Sequence, residues 1–182
     1  MKTKRFSPLI LALLAVLVLF TGCSDESSLS AFSASTLSGG TFTQEDISAK
    51  DVTVMNFWGT FCGPCLAEMP DLAAYAKALP ENVQLVTVCV DSMGNTESAE
   101  AILKDAGFEG TTLLLDKSGS ENFLALCSSV QAVPTTIFMN SQGEIVGSPL
   151  VGSQADLAGS FTNSVNTVLK NSGKAEITVE ID

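Results

Sequence analysis

Asn56-Phe57-Trp58-Gly59-Thr60-Phe61-Cys62-Gly63-Pro64-Cys65-Leu66-Ala67-Glu68-Met69-Pro70 decides how this chain is read. Only Gly63 and Pro64 separate the two cysteines. The run that leads in, Val52 to Trp58, is β-branched and aromatic and does not alternate after Met55, as expected of a strand buried on both faces. The run that leads out carries Leu66, Met69, Leu72, Ala73, Ala76 and Leu79 at the spacing of an amphipathic helix. Pro64 falls just inside that helix, where its missing N–H does no harm, and Pro70 is expected to kink it. The thiols therefore sit where a buried strand turns into a helix.

Upstream, Thr41–Thr43 reads as a short strand and Gln44–Ala49 as a turn of helix. Downstream, Val83–Val90 is a second apolar strand, followed by a helix over Thr96–Ala106 with Thr96 as its N-cap and Gly107 as its stop. Thr112–Leu115 is a third strand and Gly119–Leu126 a helix. Thr135–Met139 and Glu144–Gly147 form a hairpin about Ser141-Gln142-Gly143, and Asp156–Leu169 is the last helix. Strands joined by helices run parallel through right-handed crossovers, and the hairpin adds an antiparallel pair. The expected class is α/β, a mixed sheet with helices on both faces. The tail Lys174–Asp182 alternates apolar and polar residues and is either an edge strand or a frayed end.

Residues 1–22 read as a secretory signal: Lys2, Lys4 and Arg5, then twelve apolar residues from Leu9 to Phe20. Such a run spans roughly 18 Å as a helix, short of the ~30 Å bilayer core. It ends in Leu19-Phe20-Thr21-Gly22-Cys23, which resembles a bacterial lipobox with Cys23 as the lipidated residue, although Phe20 stands where Leu is commonest. The Ser-rich segment 23–40 is expected to be a tether, 41–170 the domain and 171–182 a tail. With 9 basic and 20 acidic residues the formal charge is −11, which argues against a nucleic-acid partner.

The chain has no histidine, which excludes Ser-His-Asp and Cys-His nucleophile systems and His-ligated metals. A zinc site needs four ligands, and Cys89 and Cys127 each stand alone, so neither metal nor cofactor is expected. A C-x-x-C in a βαβ context, on an exported chain, reads as a redox pair. Cys62, at the helix start, has unpaired N–H groups and the positive end of the dipole to favour its thiolate. Cys65, one turn inside, is the shielded thiol that resolves a mixed disulfide. Cys89 and Cys127 are expected near the same sheet edge as Cys62. They are either a second disulfide, which requires Cα atoms within ~7 Å, or two buried thiols.

Together with Val133-Pro134-Thr135-Thr136-Ile137-Phe138-Met139-Asn140-Ser141-Gln142-Gly143-Glu144-Ile145-Val146, the opening stretch resembles the two signatures of the thioredoxin superfamily. The likeness is to its TlpA/ResA-like branch of extracytoplasmic, membrane-tethered thiol-disulfide oxidoreductases and runs from about Thr41 to Leu169. It implies a thioredoxin-like fold with a helix-strand insertion at Thr96–Leu115 before a cis-Pro hairpin, the cis bond lying between Val133 and Pro134. It makes Cys62, Cys65, Glu68 and Pro134 the catalytic set, and Phe61, Gly63, Pro64, Val133 and Thr135 the substrate-contacting positions. Asn56 departs from the buried acid of many thioredoxins, and Phe61 from the usual Trp. Glu68, one turn beyond Cys65, is then the candidate proton acceptor. The resemblance further implies reduction of protein disulfides, with apocytochrome c or a methionine sulfoxide reductase as clients and a membrane thiol donor of CcdA/DsbD type. A disulfide-forming oxidant and a redox or metal-handling binding lipoprotein are the alternative readings.

Overall fold

The computed structural model describes residues 32–181. The signal segment, the lipobox and Cys23 lie outside the described residues. Five strands form one sheet in the order β5-β4-β3-β6-β7. β3 (Val52–Trp58) is central, and all seven of its residues are buried. It pairs parallel with β4 (Val83–Cys89), Trp58 facing Cys89 across the ladder, and antiparallel with β6 (Thr135–Asn140), Asn56 facing Thr136. β5 (Thr111–Leu114) extends the parallel half and β7 (Leu150–Val151) the antiparallel half. The sheet is mixed, as the alternation of apolar runs and helices required.

The unbroken apolarity of β3 is explained by the two layers it feeds. Val52, Val54 and Trp58 point into one core, Met55 and Phe57 into the other. The first core holds α2 (Gly63–Ala78), α3 (Thr96–Asp105) and α5 (Leu157–Asn171), through Met69, Leu72, Tyr75, Leu103, Phe161 and Leu169. The second holds α1 (Gln44–Ser48) and α4 (Glu121–Ser129), through Ile47 and Phe123. α2 continues through Pro70, which lies on its exposed side.

Several boundaries differ from expectation. The folded body begins before Thr41: β1 (Ser33–Ser35) pairs antiparallel with β2 (Thr41–Thr43), so residues 32–40 are part of the domain. The cause is Phe32, buried edge-on against Phe42 at 6.3 Å and Phe123 at 5.7 Å. Burying one such ring stabilises by about 1.5–3 kcal/mol and, together with the ladder to β2, holds the Ser-rich strand that carries it. Thr96 is not the cap of α3; Asn95 takes that position without a side-chain cap bond, because its amide donates to the Asp91 backbone carbonyl at 2.8 Å. α4 starts later and runs longer than expected, with Ser120 Oγ accepting the Phe123 N–H at 3.3 Å.

The hairpin is also interrupted. Only a single bridge, Met139 to Ile145, forms where Glu144–Gly147 was expected to pair as a strand. Gly147 turns the chain at φ +78° and Pro149 has no N–H for the ladder, so pairing resumes at Leu150. The described part of the C-terminal tail, 174–181, forms no edge strand and is held against α5. Asn166 clamps the Ile177 backbone with bonds of 2.8 and 2.9 Å, and Val179 is buried beyond it.

Candidate active site

β3 ends at Trp58 and the chain turns through Gly59-Thr60-Phe61 into α2. A Cβ on Gly59 would lie 2.7 Å from the Phe61 ring, so only glycine lets that ring fold back over the loop. Phe61 itself is 70% exposed. Cys62 is the N-cap of α2, one position before its first helical residue rather than at it as expected, and Gly63 and Pro64 stand exposed after it. Cys62 and Cys65 form a disulfide with their Cα atoms 5.2 Å apart. The Cys65 N–H points at Cys62 Sγ, 3.2 Å away, so once the pair is reduced it supports a thiolate there. Cys62 is 6% exposed and Cys65 not at all, which makes Cys62 the sulfur an incoming group can reach.

The facing wall is the start of β6. The Val133–Pro134 peptide bond is cis, and the Val133 carbonyl oxygen lies 3.5 Å from Cys62 Sγ, an acceptor for the S–H of the reduced form. The Thr135 hydroxyl is committed to its own loop, donating to the Ala132 carbonyl at 2.8 Å. Gly152 N–H donates to the Pro134 carbonyl at 2.8 Å, and Ser153 Oγ to the Pro64 carbonyl at 3.3 Å. The β7–α5 connection thus ties both walls together. Sequence reasoning passed over Ser153 and Gln154, because nothing local marks a loop that approaches from almost ninety residues away.

Glu68 is buried on α2, one turn past Cys65. Burial pushes its carboxyl above the usual range, partly offset by the Asn56 side chain, the Ser153 hydroxyl and the Gln154 N–H. Asn56 and Glu68 are therefore one unit. Asn56 Nδ2 also donates to Thr136 Oγ1 at 2.9 Å, while its buried Oδ1 accepts nothing.

A second carboxylate supports the loop from the other side. Asp91, just past β4, accepts from the Thr60 N–H at 2.9 Å and from the Thr60 hydroxyl at 2.5 Å. Burial opposes its charge, but the two Thr60 bonds outweigh that and hold its carboxyl below the usual range. Cys89 Sγ donates to the same carboxylate at 3.4 Å. Cys89 and Cys127 are free and lie in different cores, on opposite faces of the sheet, so they form no second disulfide. Burial pushes each thiol up to about 12, which leaves them inert as nucleophiles at neutral pH.

Among the described residues no group of three or more His, Cys, Asp and Glu side chains could hold a metal ion, and no helix is long and apolar enough to cross a membrane. A surface cleft between α3 and the start of β5, lined by Glu100, Lys104 and Gly107, contains no cysteine.

Known proteins share this arrangement. The AhpC/TSA family profile matches residues 27–148. The thioredoxin-like protein YneN of Bacillus subtilis is 31% identical over 114 residues, 63% of this chain and 64% of that one. The sporulation thiol-disulfide oxidoreductase A of the same organism is 29% identical over 150 residues, 80% of this chain and 88% of its own length. The crystal structure of StoA from Bacillus subtilis superposes with a TM-score of 0.55 at 25% identity, over 70% of this chain and 91% of that one. The chain belongs to the AhpC/TSA family, with a thioredoxin-like fold and the Cys62–Cys65 redox pair of a thiol-disulfide oxidoreductase.

Proposed function

We propose that this protein is a lipid-anchored, extracytoplasmic reductase of protein disulfides. The observation that carries the reading is the Cys62–Cys65 pair at the N-terminus of α2, with Cys62 against the Val133 carbonyl and Cys65 sealed behind it. The reduced Cys62 thiolate attacks one sulfur of a client disulfide and displaces the other as a thiolate. The client pairs its backbone with Val133, beside Phe61, Gly63 and Pro64. Glu68 takes the Cys65 proton, and the Cys65 thiolate attacks Cys62 Sγ. The client's second sulfur leaves as a thiolate, both client thiolates take up protons from solvent, and the protein is left as the disulfide described above. The neutral Glu68 formed in this step can donate to Asn56 Oδ1, a buried acceptor that has no hydrogen-bond partner.

A membrane thiol donor of CcdA/DsbD type then restores the dithiol, with Cys23 lipidation holding the protein near it. Exported clients such as apocytochrome c or a methionine sulfoxide reductase are the first to test. Cys65→Ala leaves Cys62 without a resolving partner and should accumulate mixed disulfides with them, separable on non-reducing gels. A Cys62–Cys65 potential far above the roughly −270 mV of thioredoxin would overturn the reductant direction.

A further inference from the structure

A groove begins where the cis-Pro wall ends. Ala132 and Thr135 flank Val133-Pro134 and also line a cavity of about 200 Å³ that runs away from the disulfide, between the C-terminal end of α4 and the β6–β7 edge. Leu126, Val130, Ile137, Ile145, Pro149 and Val151 form most of its walls, with Ser129 and Gln131 as their polar members, and no charged residue lines it. Few large apolar side chains are exposed among the described residues. Two of them, Ile145 at 47% and Val151 at 64%, stand in this groove, and a third, Phe61, immediately precedes Cys62. β7 is the last strand of its sheet. Gly152 N–H points inward to the Pro134 carbonyl, so the N–H and C=O of Val151, one residue earlier, point outward from the edge.

We infer that this groove is a specificity subsite that receives an apolar side chain of the client polypeptide, a few residues from the cysteine attacked by Cys62. The inference rests on the reductase reading above and adds the client's chemistry to it. Continuity with the redox site identifies the occupant: a chain lying along Val133-Pro134 passes Ala132 and Thr135 into the groove. The volume suits an aliphatic side chain rather than a small-molecule ligand. The free backbone edge at Val151 fits an extended segment, and uncharged walls admit an apolar residue but would leave an aspartate desolvated and unpaired.

The test compares the reduced protein on three substrates: a peptide disulfide with leucine near the cysteine, the same peptide with aspartate there, and hydroxyethyl disulfide. The native protein should favour the leucine peptide by about tenfold in kcat/KM, the scale of burying part of one aliphatic side chain. Ile145→Asp and Val151→Asp should each remove that preference through KM, leave hydroxyethyl disulfide within about twofold, and keep the Tm; Val151→Ile should retain it. A native protein that reduces both peptides equally overturns the groove alone. Variants that slow hydroxyethyl disulfide as much as the peptide also overturn it. A native protein that reduces only hydroxyethyl disulfide overturns the reductase reading and the groove with it.

Discussion

Glu68 carries two opposed effects that one substitution separates. In the proposed mechanism it is the base for Cys65, and as a buried carboxylate it costs stability when charged. Its folded pKa is raised above the ordinary 4.5, so its favourable contribution is fully present below that pH and is lost as pH rises through the raised value. Glu68→Gln should therefore be at least as stable as the native protein at pH 7, the gap closing towards pH 4 in urea titrations. The same variant should resolve Cys62 mixed disulfides roughly 10²-fold more slowly in stopped-flow assays and lose the rise in rate with pH. Fast resolution with an unchanged pH profile would remove Glu68 from the mechanism. Asp91→Asn is the matching experiment on the other side. It keeps the shape but replaces one acceptor of the Thr60 pair with a donor, and should cost about 1–3 kcal/mol by chemical denaturation.

At the scale of elements, the finding to test is that β1 belongs to the domain. Phe32 is its anchor, packed between Phe42 and Phe123. Phe32→Ala should destabilise by about 3 kcal/mol and expose residues 33–35 to amide exchange, while the Cys62–Cys65 potential stays where it was. A free tether would give no change in stability. The Ser-rich composition pointed to a tether because polarity is a local average, whereas the apolar residues that turn inward, Phe32 and Ala34, find their core only once α4 is folded. The interrupted hairpin has the same kind of cause. Its Gly147 and Pro149 are visible in the sequence, but that pairing resumes at Leu150, with Gly152 bonded to Pro134, depends on where the rest of the sheet stands.

For the whole molecule, anchoring is the open consequence. Cys23→Ser should move the protein from the membrane fraction to the soluble one and leave insulin reduction by the purified protein unchanged; continued membrane retention would argue against lipidation. The redox pair, its strand-to-helix setting and the parallel order of β3, β4 and β5 were legible in the sequence, carried by residues close along the chain or by strict topological rules. The cis bond before Pro134 was what the family resemblance implied, and the structure has it.

What the sequence determined by itself was the chemistry: two thiols at a helix start, no histidine, and an acid one turn beyond Cys65 where Asn56 offers none. Only the tertiary structure decided how that chemistry is held. It joined Asn56 to Glu68, brought Ser153 and Gln154 over α2, tied Asp91 to Thr60 and put Cys89 and Cys127 on opposite faces of the sheet. It also opened an uncharged groove beyond Pro134. The division follows from range. Local spacing sets which groups a helix or strand presents. Desolvation, hydrogen-bond partnership and grooves arise between segments far apart in the chain, and exist only after the sheet has closed.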